Sequence, residues 1–127
     1  MNLTENFTLA ELTASSVSRL KGIENIPDER SLYNLKRLCV EVLQPVRNRF
    51  SRPITVTSGY RSKELNKAVG GSETSQHKNG EAADIISEDN AALWHTIVGM
   101  IRAGEIKVGQ LIDEKDLRAH STIFDKI

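Results

Sequence analysis

The chain has 127 residues, of which 39% are apolar, 5% aromatic and 27% charged, the composition of one ordinary globular domain and too short for two. Seventeen basic and seventeen acidic residues cancel, so no net field draws the chain to nucleic acid or an anionic membrane. No apolar run approaches the ~20 residues of a membrane span, and a single cysteine, Cys39, excludes an internal disulfide.

At the start, Thr8 and Glu11 have capping-box spacing, with Phe7 and Leu12 placed as a hydrophobic staple, which predicts a short helix. The opening MNLTENFTLAEL lacks a basic-then-apolar pattern, so synthesis in the cytoplasm without a signal peptide is expected. After the turn segment ENIPDER, Leu32, Leu35, Leu38, Cys39, Val42, Leu43, Val46 and Phe50 recur every three or four residues and predict the main amphipathic helix. Cys39 lies within that stripe and reads as a buried, inert thiol. Pro45 interrupts it, deleting a backbone donor and crowding the preceding turn, so a kink or an end is expected near Gln44. Lys36, Arg37, Arg47, Arg49 and Arg52 are interleaved with Glu41 in a solvent-facing helical pattern, which sets a nucleic-acid role aside.

Pro53–Thr57 reads as a strand, and Ser62 caps a short helix carrying Leu65, Asn66 and Val69 before the Gly70-Gly71 break. The polar loop SETSQHKNG leads to a strand over Glu81–Ile86, whose small residues permit close backbone approach. Asp89 or Asn90 caps a helix with Leu93, Ile97 and Ile101 on one face, ended by Gly104, and a last strand is expected from Ile106 to Ile112. The predicted order is α, α, β, α, β, α, β in one mixed domain over residues 1–127.

The chemistry concentrates in Ser75-x-His77-x-x-Gly80-x-Ala82-x-Asp84, which sets an imidazole and a carboxylate on either side of a loop-to-strand junction. Both suit zinc, but a catalytic zinc takes three protein ligands. His95 lies two residues after Leu93, about 200° around the helix, and so faces solvent, whereas His120 follows the last predicted strand and is the better third ligand. On the residues alone, a surface-loop histidine, a strand-end aspartate, a turn-forming Ser75 and a surface-paired Arg61 remain the ordinary alternatives.

From Phe7 to Glu114 the chain resembles the zinc D-Ala-D-Ala carboxypeptidases and related phage and bacterial cell-wall peptidases, the peptidase M15 family. The resemblance is carried by NFTLAELTAS, VLQPVRNRFSRPITVTSGYRS, LNKAVGGSETSQHKNGEAADI and, more weakly, GQLIDE, with the SxHxxGxAxD element intact. It implies an α+β fold, hedgehog/DD-peptidase-like, in which a small, mainly antiparallel sheet carries the metal site and helices cover its other face. It further implies Zn2+ held by His77, Asp84 and His120, with Arg61 steadying the substrate oxygen and Ser75 supporting the metal shell or the substrate. Glu114 is then the general base by position, with Asp116 its rival. Solvated acids of the charged turn DEKD are the plain alternative for both. The segment Leu117–Thr122 departs from the family pattern, lacking the aromatic residue and the alternation that precede the last histidine.

The function so implied is hydrolysis of a peptide bond in bacterial peptidoglycan stem peptides, of the D-Ala-D-Ala carboxypeptidase or L,D-endopeptidase type. The altered tail supports an alternative, a degenerate member acting as a cell-wall binding or interaction module. A monomer acting on stem peptides or their precursors, with no nucleic-acid partner and no transmembrane segment, is expected. A phage or prophage lysis enzyme fits a wall-directed chain without a signal peptide, and so does a cytosolic enzyme acting on soluble precursors.

Overall fold

The computed structural model describes residues 1–114 and 120–124, with 112–114 and 120–124 given by backbone only. The N-terminal capping box forms as the sequence predicts: the Thr8 hydroxyl accepts from the Glu11 N–H, and the Glu11 carboxylate accepts from the Thr8 N–H. The helix it opens, α1 (Leu9–Thr13), is short because Ser15 caps a second one, α2 (Ser16–Lys21), by accepting from Ser18 N–H. Phe7 and Leu12 are both fully buried in the core.

The main helical segment runs from Glu29 to Phe50 as α3 (Glu29–Leu38), a π-helical turn over Cys39–Leu43, and α4 (Gln44–Phe50). Pro45 does not end it. The wider turn before Pro45, in which Gln44 N–H reaches back five residues to the Cys39 carbonyl, relaxes the crowding between the proline ring and the preceding carbonyls. Leu35, Leu38, Cys39, Val42, Leu43 and Val46 along this segment are all fully buried, at about 1.5–3 kcal/mol for each large side chain.

Four strands, β1 (Thr55–Ser58), β2 (Ala82–Ile86), β3 (Gln110–Glu114) and β4 (His120–Phe124), form an antiparallel sheet in the order β1-β2-β4-β3. The predicted last strand starts later than expected, at Gln110 rather than Ile106, and Ile106 is buried in the core ahead of it. The chain then returns as β4, a strand beyond the three that the sequence predicts, which lies between β2 and β3. After β1 comes the short helix α5 (Lys63–Ala68), and Ala83 and Ile85 of β2 pack into the core with α3, α4 and the helix α6 (Asn90–Arg102), while Asp84 belongs to the opposite face. This is the expected α+β arrangement, helices on one face of a small antiparallel sheet. No helix among the described residues is long and apolar enough to cross a membrane.

Candidate active site

The open face of the sheet is organised around Asp84. A bulge in β1 pairs Val56 with Ile85 but Ser58 with Asp84, leaving Thr57 as the extra residue. The bulge therefore brings Ser58 opposite Asp84, and the Ser58 hydroxyl accepts from Arg61 Nε at 3.3 Å.

The turn Gly59-Tyr60-Arg61 is clamped at three backbone points. Tyr60 N–H donates to the Leu12 carbonyl at 2.7 Å, Arg61 N–H donates to the His77 carbonyl at 3.0 Å, and the Asn25 amide donates to the carbonyls of Thr13 and Tyr60. A Cβ on Gly59 would lie 2.3 Å from the Leu12 carbonyl oxygen, so only glycine allows the turn to sit this close to α1. Arg61 is thereby fixed beside the loop that carries His77.

His77 lies on a 3₁₀ turn (Gln76–Asn79) within what reads in the sequence as an irregular loop. Ser75 caps this turn, its hydroxyl accepting from His77 N–H at 3.2 Å, so its observed bond serves the placement of His77. Gly80 ends the turn with φ +75°, and a Cβ there would lie 2.4 Å from the Ser31 carbonyl oxygen. The glycine of the SxHxxGxAxD element is thus required by both backbone conformation and close approach to α3.

The His77 ring is buried, at 4% exposure, and its Nδ1 lies 2.7 Å from the Gly59 carbonyl oxygen. A carbonyl only accepts, so Nδ1 carries the proton and Nε2 turns toward Asp84, the orientation that a carbonyl partner imposes on metal-binding histidines. His77 Nε2 and Asp84 Oδ1 are 3.5 Å apart. Two ligands on a tetrahedral zinc with bonds of about 2.0–2.2 Å are separated by about 3.3–3.5 Å, so this donor pair fits such an ion. Among the described residues no group of three His, Cys, Asp or Glu side chains converges.

Arg61 closes the other side of Asp84. Its Nη2 is 3.9 Å from Asp84 Oδ2, and its Nη1 donates to Asn66 Oδ1 at 3.1 Å. Burial pushes the guanidinium below its ordinary pKa, and the Asp84 carboxylate opposes that shift. The side chain keeps 19% exposure.

The remaining sequence candidates lie farther along the sheet or away from it. His120 pairs with Glu114, and Thr122, two residues on, pairs with Asp84. By the two-residue repeat of a strand, the positions of His120, Glu114 and Asp84 share one sheet face. The side chains of His120 and Glu114, and the whole of Asp116, lie outside the described residues. His95 is exposed on α6. Gly59, Asn25 and Asn66 were given no role from sequence. The tight SGY turn and a polar residue inside an apolar helical pattern are the signals that could have found the first and the last.

No curated protein sequence matches the chain. Among solved structures it is similar to the crystal structure of the Serratia marcescens L-Ala D-Glu endopeptidase ChiX, with a TM-score of 0.51 at 23% identity over 84% of this chain and 95% of that one, a likeness of fold. The sequence matches the peptidase M15 family over residues 5–113, which takes in Arg61, His77 and Asp84. The chain belongs to the peptidase M15 family.

Proposed function

We propose that this chain is a zinc-dependent peptidase that hydrolyses a peptide bond in bacterial peptidoglycan stem peptides. The observation that carries the reading is the convergence of His77, Asp84 and Arg61 on one open sheet face in a member of a peptidase family. His77 Nε2 and Asp84 Oδ1 would hold the ion, with His120 as third ligand. When bound, zinc polarises a carbonyl and acidifies water to a pKa of about 7.

The chain's own residues do the rest. The Gly59 carbonyl keeps the His77 ring in one tautomer and orientation. Arg61, braced by Ser58 and Asn66, holds the substrate carbonyl oxygen and stabilises the charge that develops on it. Glu114, whose position is paired with that of His120, takes a proton from the attacking water and delivers it to the leaving amine. Water is added across the C–N bond, leaving a carboxylate and an amine.

The similarity of fold to an L-Ala D-Glu endopeptidase supports the endopeptidase form over the carboxypeptidase form. The test is to incubate the protein and zinc with a synthetic stem pentapeptide and weigh the products. Release of L-Ala supports the endopeptidase, and release of terminal D-Ala would reassign the bond. Binding of the peptide with no cleavage would replace the enzyme by a non-catalytic wall-binding module.

A further inference from the structure

We propose that the depression beside Arg61, walled by α5 (Lys63–Ala68) and the Gly70–Glu73 loop, is a subsite for a carboxylate on the peptide substrate; this rests on the peptidase reading above. The depression measures about 570 Å3 and is lined by Lys63, Lys67 and Lys78, with Glu73 as its one acid. The lining is therefore cationic in a chain whose formal net charge is zero. Lys63 and Lys67 stand one turn apart on the same helix face, and Lys78 comes from the turn that carries His77. The ion pairs of the described residues engage none of the three lysines.

The depression adjoins Arg61 through two of its lining residues, Asn66 and Gly71. Asn66, 3% exposed, accepts from Arg61 Nη1 and donates to the Ser72 carbonyl at 2.8 Å, tying the guanidinium to the loop that forms the wall. A Cβ on Gly71 would lie 2.9 Å from Arg61 Nη1, so wall and guanidinium are in contact. A peptide whose scissile carbonyl meets Arg61 would, on this proposal, extend a neighbouring residue toward three ammonium groups that make no ion pair among the described residues. An acidic residue at that place satisfies them, and a neutral one does not.

The experiment compares kcat/KM for a stem peptide bearing a free acidic α-carboxylate with the same peptide amidated there, using the parent protein and the Lys67→Gln/Lys78→Gln double variant. The parent should prefer the acid by about three- to tenfold at low salt, the range of a few exposed charge contacts, and lose that preference at high salt. In the double variant the ratio should approach one, through KM rather than kcat. Equal use of both peptides by the parent, or an unchanged ratio in the variant, would overturn the subsite. If neither peptide is cut, the peptidase reading fails and calorimetric binding of the same two peptides decides the subsite. Tighter binding of the acid by the parent alone supports it, and equal binding overturns it.

Discussion

Gly59→Ala tests how the fold positions the site. The added Cβ would fall 2.3 Å from the Leu12 carbonyl oxygen and 3.0 Å from its carbon, both backbone atoms that cannot rotate away. Turn and helix would have to part by at least about 0.7 Å, which stretches the 2.7 Å bond from Tyr60 N–H to the same oxygen. Overpacking of this kind costs about 1–3 kcal/mol, and a weakened buried hydrogen bond adds about 1 kcal/mol. The shift also moves the Gly59 carbonyl from His77 Nδ1, and loss of such a partner lowers metal affinity about 10- to 100-fold. Urea unfolding of the metal-free protein and a zinc titration measure the two effects separately. Gly99→Ala is the control: outside its own helix no atom of the described residues lies within 4 Å of its Cβ near the end of α6, so it should stabilise by up to about 0.5–1 kcal/mol. A Gly59→Ala protein as stable as the parent and with the same zinc affinity would refute the reasoning.

Three further predictions follow from the same geometry. Arg61→Lys should keep its zinc but lose most of kcat/KM on a stem peptide, because lysine retains the charge and gives up the planar contacts to Ser58 and Asn66; equal kcat/KM would reduce Arg61 to a structural cation. His120→Ala should weaken zinc binding and His95→Ala should not, since only His120 is on the sheet; loss in His95→Ala alone would reverse the assignment. Burial pushes the Cys39 thiol up to about 12 from an ordinary 9.0, so the native protein should resist thiol reagents at neutral pH. Above pH 9.0 the unfolded chain loses this proton first, so stability should fall by up to about 1.4 kcal/mol per pH unit toward pH 12, and Cys39→Ala should remove that slope in a urea titration.

The parts of the fold that were legible in the sequence are those decided locally. Thr8 with Glu11, Ser62 and Asp89 cap their helices through contacts three residues away, and the apolar stripe from Leu32 to Phe50 needs no distant partner to be recognised. The failures are non-local. Strand β4 has no long apolar run, and only pairing with β2 on one side and β3 on the other makes it a strand. Pro45 reads as a kink or an end near Gln44, and the π turn over Cys39–Leu43 that carries the helix through it has no sequence signature of its own. In the site, the SxHxxGxAxD spacing points to His77 and Asp84, and the family resemblance adds Arg61. The backbone oxygen that orients His77 and the buried Asn66 that braces Arg61 are products of tertiary approach, and they carry no spacing rule.

On the proposed function, His77 and Asp84 hold a metal ion in a protein that folds without it. The most direct test is a calorimetric zinc titration of the metal-stripped parent beside His77→Ala and Asp84→Ala, with melting temperatures of the stripped proteins recorded alongside. About one zinc per parent chain and a loss of affinity of about tenfold or more in each variant are expected, with folding intact in all three. A parent that takes up no zinc, or variants that bind it as tightly as the parent, would contradict the proposal.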